Sequence, residues 1–178
     1  MQKELMKIIL ALFAFLPILS ICQSKNAPGT VNTKHVTTVQ TLTVQGAFEL
    51  AAEAKKSAAL LGKTVSIVVL DASGTLILKV RGENVGPHNT EASHKKAYTA
   101  LSTKTSSFNL MKIAAADSTA QNLNTVSDLL LLGGGVPVWY ENEVIGSLGV
   151  SGGGGGENDH QIAKSAIEEL GFLTAKTY

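Results

Sequence analysis

The chain of 178 residues has little cysteine, little aromatic content and almost no excess of charge of either sign. Its one cysteine, Cys22, excludes a disulfide within the chain. Basic and acidic residues number 15 and 14, which leaves a net charge of +1. General nucleic-acid binders carry a basic excess because phosphate contacts dominate their affinity, so the balance argues against nucleic acid as a partner. Aromatic residues make up 5% of the chain and show no spacing typical of a base-stacking platform.

The chain also has no apolar run long enough to span a bilayer comfortably. The longest run covers residues 8–19, whereas a spanning helix needs about 20 residues. A short basic stretch precedes this run, which is typical of a secretory signal peptide. We therefore expect residues 1–22 to be removed and the protein to be periplasmic or secreted, and we favour this over an N-terminal membrane anchor. The end of the segment resembles a lipobox, but Ile21 is bulky where a small residue is expected, which argues against lipidation at Cys22.

The remainder of the chain has the composition of one folded domain. Hydrophobic residues make up 44% of the sequence, which excludes a disordered chain. Residues 23–35 are polar with proline and glycine and are predicted to be a flexible leader. Residues 36–178 are then a single domain with an adequate core.

The periodicity of apolar residues predicts helices alternating with two β-hairpins. A mostly antiparallel sheet with helices packed on it follows from this order, so the predicted fold class is α/β of the α+β type. The predicted elements are helix 44–62 capped by Thr43, strands 65–70 and 75–81, helix 90–104 capped by Thr90, a short helix 108–115, strands 136–140 and 143–150, and a last helix with a capping box at Asn158 and Gln161.

Glycine is concentrated in one region: ten of the 17 glycines lie between Gly133 and Gly156. The run 152–156 leads into a helix and could bind an anion through backbone N–H groups. A Walker A loop would be followed by Lys-Ser or Lys-Thr, and neither is present. A dinucleotide-binding fold would need a further strand with an acidic residue after the helix, and this is also missing. We favour a tight connection, while a loop that receives a ligand carboxylate stays open as an alternative.

One helix carries a candidate metal site. Glu91 and His94 are three residues apart and share a helical face, and His88 lies just upstream. Imidazole and carboxylate groups are suitable metal ligands. Di-iron bundles use the Glu-x-x-His spacing twice with further glutamates, whereas it occurs once here. Packing of His94 and a helix-dipole role for Glu91 are therefore favoured over metal binding.

The sequence gives no good candidate for nucleophilic catalysis. Residues 149–153 match the G-x-S-x-G pattern around Ser151. The following acid and base, Asp159 and His160, are adjacent, so they point to different sides of a helix and do not suit a catalytic relay. No residue is assigned a catalytic role.

A haem pocket could be assembled from several residues of the chain. Histidine is a ligand of haem iron, and such a pocket also needs apolar walls and donors for the propionates. Spacing alone does not show that the parts converge. The residues that could supply them are His88, His94, Lys95, Lys96, Arg81 and the glycine loops.

Several segments, taken in order, resemble the GlcG/HbpS family of haem-binding proteins, and they cover nearly the whole chain after the signal peptide. They are residues 65–74 (VSIVVLDASG), Arg81, residues 96–100 (KAYTA), residues 134–138 (GGVPV), and residues 145–152 (IGSLGVSG) followed by Asp159. The resemblance implies a profilin-like α/β fold with a five-stranded antiparallel sheet, helices on both sides, and a homo-oligomer.

The resemblance also implies an exported protein that binds haem or another tetrapyrrole, for haem handling or sensing, with a sensor or transport partner. A non-enzymatic role is favoured. Family ligands vary, and a threonine near the KAYTA helix matches loosely to Thr99 or Thr105. Residues 86–90, just before this helix, differ from the sequence found in commoner members of the family. His88 and His94 are therefore further candidates for the haem-iron ligand. The remaining candidates for the cofactor site are Arg81, Lys95, Gly134 and Gly135.

Two other functions remain open. The first is an enzyme or enzyme accessory acting on a small carboxylic metabolite related to glycolate or diol metabolism, which would hold the carboxylate with Arg81 or a glycine loop. The second is a purely structural oligomeric module.

Overall fold

A computed structural model of the chain describes residues 33–177. The predicted signal peptide 1–22, Cys22 and most of the predicted leader therefore lie outside the described residues. The chain divides into two units, Met1–Thr37 and Thr38–Tyr178. The described end of the first unit contains a 3₁₀ turn, Thr33–His35. No helix in the described part of the chain combines the length and the apolar character that a membrane crossing requires.

The second unit is a layered α/β fold around one antiparallel sheet. The strand order is β2-β1-β4-β3, and every neighbouring pair is antiparallel. This confirms the predicted fold class with an antiparallel sheet flanked by helices. The elements are α1 Val44–Leu60, β1 Ser66–Asp71, β2 Leu76–Arg81, α2 Pro87–Thr103, α3 Ser107–Ala116, a 3₁₀ turn Ala120–Thr125, β3 Gly135–Tyr140, β4 Glu143–Ser151 and α4 Gly156–Glu169.

The central strand β1 shows how the two faces of the sheet are covered. Ile67 and Val69 belong to the larger core, which α1 and α4 close on one face. Val68 and Leu70 point to the other face and pack with Ala97 of α2. Side chains alternate along a strand, so a strand covered by helices on both faces is apolar at consecutive positions, as this one is.

The sheet has four strands in the described residues, not the five implied by the family resemblance. After α4 the chain turns at Gly171, which has a φ of 80°. It then meets the edge of β3 at one position only, an isolated bridge between Trp139 and Leu173. Both hydrogen bonds of that bridge form, at 2.8 and 3.1 Å. Up to residue 177 the segment after α4 pairs with β3 at this one position, so it does not form a strand of the sheet.

Two of the three predicted helix caps differ from the structure. Thr43 caps α1 as predicted, since its Oγ1 accepts a hydrogen bond from the Gly46 backbone N–H at 3.0 Å. Helix α2 starts at Pro87, not after Thr90, so the prediction of Thr90 as the cap is wrong. Proline suits the first helical position because its φ is already helical and the missing N–H would have no partner there.

The predicted capping box at the start of α4 is also wrong. The helix begins at Gly156, and no side chain caps it. Asn158 Nδ2 donates to the Gly153 carbonyl at 3.0 Å, and Gln161 donates to Ser165 at 3.1 Å. Instead of a reciprocal box, Asp159 Oδ1 accepts the Gly153 backbone N–H at 2.7 Å.

The glycines of β3 and β4 allow α2 to lie directly on the strands. A Cβ atom at Gly135 would come within 1.9 Å of the Lys96 carbonyl oxygen, and one at Gly149 within 2.0 Å of the Ser93 carbonyl oxygen. Both obstacles are helix backbone, which has no room to move inside a packed core. Glycine at these two positions therefore serves helix-on-sheet packing.

Replacing Gly135 with alanine should destabilise the fold by about 1–3 kcal/mol or more, because the added methyl group overpacks a rigid contact. The matched control is Gly46→Ala in α1, where the nearest atom to the new Cβ is 3.4 Å away. Helix propensity predicts that this variant gains up to about 1 kcal/mol. Urea unfolding followed by circular dichroism measures both. A Gly135→Ala variant as stable as the parent would contradict the packing role.

Candidate functional site

The interior of the fold contains an ion pair between Lys96 and Asp159. The Lys96 side chain is 0% exposed, and its Nζ donates to Asp159 Oδ2 at 2.7 Å. The same Nζ lies 3.2 Å from the Val150 carbonyl oxygen and 3.4 Å from Ser151 Oγ. Protein oxygens thus replace the water around the ammonium group, which a buried charge requires if it is to be tolerated.

Asp159 connects three elements to this pair. It lies in the first turn of α4, where the helix dipole favours a negative charge. One carboxylate oxygen binds Lys96 on α2, and the other accepts the backbone N–H of Gly153 in the glycine loop. The carboxylate therefore holds α2, α4 and the loop after β4 together.

Burial lowers the pKa of Lys96 from its ordinary value of 10.5, and the hydrogen bond and charge of Asp159 act in the opposite direction. Desolvation is the larger influence, as expected for an ammonium group without access to water. Because the Nζ atom is enclosed on all sides, Lys96 supports the fold and does not reach a ligand. This corrects its assignment to the parts of a haem pocket.

Ser151 belongs to the same polar network. Its hydroxyl donates to Asn89 Oδ1 at 2.9 Å, which joins the end of β4 to the start of α2. Asp159 faces Lys96, while the ring of His160 stacks on Phe108 with centroids 4.9 Å apart. The acid and the base thus point in different directions, so Ser151, Asp159 and His160 are not arranged as a relay.

The outer face of α2 carries a cleft of about 230 Å³. We call it the Tyr98 cleft and define it by its five lining residues, Glu91, His94, Lys95, Tyr98 and Asp128. Four of them recur at three- and four-residue intervals, which places them on one helical face. Tyr98 also borders a second, more open cleft of about 570 Å³ that extends towards Leu101 and Gly74. The tyrosine ring therefore stands between two concave surfaces.

The donor set of the Tyr98 cleft suits a haem. Imidazole and phenol groups are both known ligands of haem iron, and His94 and Tyr98 are one helical turn apart. Lys95 donates to the Ser127 carbonyl at 2.9 Å, which keeps its cation beside the cleft. The volume is below the roughly 300–1,000 Å³ of typical small-molecule pockets. The side chains of the cleft are therefore suited to a haem, but the cleft of one chain is large enough to enclose only part of the haem.

The other predicted ligands lie away from this cleft. His88 is exposed in the first turn of α2. Arg81 is exposed at the end of β2, in a separate cavity beside Lys55 and Lys63. Gly134 and Gly135 are buried against the backbone and side chain of Lys96. The structure therefore brings together His94 and Lys95 of the predicted set.

Both candidate threonine ligands are engaged in hydrogen bonds. Thr99 is buried; its Oγ1 donates to the Lys95 carbonyl at 2.7 Å and accepts the Leu130 backbone N–H at 2.8 Å. It fastens the segment before β3 to α2. Thr105 Oγ1 donates to the Thr103 carbonyl at 3.1 Å at the end of the helix. Neither residue lines the Tyr98 cleft.

The predicted metal triad is not assembled. Within residues 33–177, no three side chains of His, Cys, Asp or Glu come together in a way that could hold a metal ion. His88 and His94 are six residues apart on α2, which places them about 120° apart around the helix axis. The candidate site of His88, Glu91 and His94 is therefore corrected, and only Glu91 and His94 share a cleft.

Two parts of the site were not predicted from the sequence. Tyr98 is four residues after His94, so its helical spacing was visible, although no ligand role was assigned to it. Asp128 reaches the cleft from a segment far along the chain and gives no local pattern. The pairing of Lys96 with Asp159 likewise joins residues 63 positions apart.

Comparison with known proteins identifies relatives across most of the chain. The family model described as "Haem degrading protein HbpS-like" matches residues 42–168. A Salmonella typhimurium protein named corrinoid adenosyltransferase PduO is 30% identical over 140 residues, which is 78% of this chain and 41% of the relative. The chain thus spans less than half the length of that protein.

Solved structures agree with this family. A double mutant of HbpS from Streptomyces reticuli is 30% identical, with a TM-score of 0.74, and the match covers 82% of this chain and 97% of that one. A PduOC:haem complex is 28% identical, with a TM-score of 0.69, and the match covers 76% of this chain and 99% of that one.

Replacing Asp159 with alanine should cost about 3–5 kcal/mol of unfolding free energy, because it leaves the Lys96 ammonium buried without its partner. The double variant Lys96→Met/Asp159→Leu should recover a large part of that loss, since it removes both charges. Glu168→Ala is the matched control: its exposed pair with Lys164, at 3.7 Å, should contribute no more than about 1 kcal/mol. Chemical unfolding measures all three, and a mild Asp159→Ala would contradict the role of the pair.

His160 should make stability depend on pH. Burial, assisted by Lys164 and Lys112, lowers its pKa from the ordinary value of 6.5. As the pH falls below about 6.5, the unfolded chain binds the proton more strongly than the folded chain, so stability decreases down to the lower folded pKa. His160→Phe keeps an aromatic ring beside Phe108 and should lose this component. Unfolding free energies measured between about pH 7 and pH 5 test it; parallel curves would refute it.

Proposed function

The chain belongs to the HbpS-like family, and we propose that it is an exported protein that binds haem. The observation that carries this proposal is the Tyr98 cleft, where an imidazole and a phenol lie one turn apart on the outer face of α2. The family match over residues 42–168 and the similarity to a PduOC:haem complex support it. The signal-peptide pattern of residues 1–22 supports export.

His94 is the side chain proposed to bind the iron. It is half-buried in the cleft, whereas His88 is exposed outside it. Tyr98 would pack against the tetrapyrrole, and the Lys95 cation is suited to a propionate carboxylate. The bound group would supply a coordinated iron centre. The protein's own contribution is to orient the ring on α2, whose inner face is fixed by the Lys96–Asp159 pair.

A second copy of the chain is proposed to complete the haem enclosure. The Tyr98 cleft is too small to surround a tetrapyrrole, and Tyr98, which lines it, is 38% exposed. Apolar side chains beside a cleft are a surface that another protein can cover. A homo-oligomer, acting beside a sensor or transport partner, is the form in which we expect the protein to handle haem.

Titration of the purified protein with hemin tests this function. We expect a saturable shift of the Soret band in the parent chain. His94→Ala should weaken binding at least tenfold, or change the ligand-dependent spectrum, because the proposed iron ligand is lost; changes beside a metal already cost roughly 10–100-fold. Tyr98→Ala should also weaken it.

His88→Ala is the matched control, since it removes an exposed imidazole from the same helix. Its titration should overlay that of the parent. If hemin causes no saturable change in the parent protein, the function is refuted. If His94→Ala and His88→Ala behave alike, His94 is not the ligand.

A further inference from the structure

A second concave site lies away from the Tyr98 cleft, between the C-terminal half of α1 and the end of β2. It is a cavity of about 170 Å³, and it shares no lining residue with the Tyr98 cleft. Its floor is apolar, from Ala58, Val65 and Val80. We call it the basic cavity, because its charged lining residues are Lys55, Lys63, Arg81 and Glu83.

The three cations reach the basic cavity from three parts of the chain. Lys55 lies in α1, Lys63 follows that helix, and Arg81 is the last residue of β2. One carboxylate, that of Glu83, faces them. The cavity lining therefore carries two positive charges in excess.

These cations differ from four other lysines in the described chain. Lys56, Lys79, Lys96 and Lys164 each have a carboxylate partner, whereas in residues 33–177 no ion pair involves Lys55, Lys63 or Arg81. Glu83, the one acid in the cavity lining, forms no ion pair with them and offsets only one of the three positive charges. A concave surface lined by one sign of charge over an apolar floor concentrates ligands of the opposite sign.

The backbone around the basic cavity is held in place before any ligand binds. Gly82 donates to the Val65 carbonyl at 3.1 Å. A Cβ atom at Gly82 would come within 2.8 Å of the same oxygen, so the end of β2 lies close against β1. Thr64 Oγ1 donates to the Glu83 carbonyl at 2.9 Å. These contacts fix the positions from which Lys63 and Arg81 extend.

We propose that the basic cavity binds a small dianion. Two excess positive charges match two negative ones, and the guanidinium of Arg81 can bind a carboxylate or a phosphate through two parallel hydrogen bonds. The volume equals that of roughly five or six water molecules, at about 30 Å³ each. It admits a short dicarboxylate or a phosphate group. This site stands beside the haem proposal and does not depend on it.

Isothermal titration calorimetry in low-salt buffer, with malonate and inorganic phosphate as separate probes, tests the proposal. Saturable binding of one anion per chain is expected for at least one probe. Arg81→Gln and Lys63→Gln should each weaken it at least about tenfold, because each removes a charged hydrogen-bond donor. Lys164→Gln removes an equal charge from the exposed surface of α4 and should change binding less than about twofold, since exposed charges act weakly.

The outcomes separate the two ligand classes and the two sites. Binding of malonate alone assigns a dicarboxylate, and binding of phosphate alone assigns a phosphate-bearing ligand. Absence of saturable binding for both probes, or equal weakening by Lys164→Gln and Arg81→Gln, overturns the proposal. Hemin titration of Arg81→Gln should match the parent, and a lost Soret shift would show that the two sites are not separate. Thermal unfolding confirms that each variant is folded.

Discussion

The buried ion pair between Lys96 and Asp159 is the contact on which the architecture of this protein depends. It joins the inner face of α2 to the first turn of α4, and Asp159 also binds the glycine loop after β4. Removing either charge alone would leave the other in a low-dielectric interior, where an unpaired ion is costly. The pair therefore couples three elements, α2, α4 and the glycine loop. It also fixes the orientation of α2, whose outer face forms the Tyr98 cleft.

Glycine makes this arrangement sterically possible. At Gly135 and Gly149 the helix backbone lies where a side chain would otherwise stand. At Gly134 a Cβ atom would come within 3.0 Å of Lys96 Cδ and 2.9 Å of Asp159 Cβ. The ion pair and the glycines therefore depend on each other: the missing side chains leave the space in which Lys96 reaches Asp159. The sequence favoured a tight connection for the run 152–156, but it did not show that Gly134, Gly135 and Gly149 make room for α2 and the ion pair.

Local chemistry was enough to predict most elements of the fold. The apolar run of β1 and the Thr43 cap of α1 were legible in the sequence because each depends on neighbouring residues. The start of α2 was missed because Thr90 is a good cap by type, yet Pro87 already has helical φ three residues earlier. The described residues form four strands, and the segment after α4 adds only the isolated bridge between Trp139 and Leu173. Features of this kind are set by contacts between distant parts of the chain, which local sequence patterns do not show.

Part of the candidate site could also be predicted from the sequence. His94 and Lys95 were named from the sequence, and the helical spacing to Tyr98 was visible. Asp128 and the partner of Lys96 were not, because tertiary packing brings them from distant segments. The threonines of the KAYTA region were attractive as ligands only until their hydrogen bonds were known. Thr99 uses its hydroxyl both as donor and as acceptor within the fold.

The most direct measurement is an amide NMR spectrum of the isotopically labelled protein with and without hemin, whose paramagnetic iron broadens nearby resonances. If haem binds on the outer face of α2, the amides of Glu91, His94, Tyr98 and Asp128 should broaden. Those of Lys63 and Arg81, in the basic cavity, should stay sharp. Broadening centred on the basic cavity, or none at saturating hemin, would contradict the assignment of the Tyr98 cleft as the haem site.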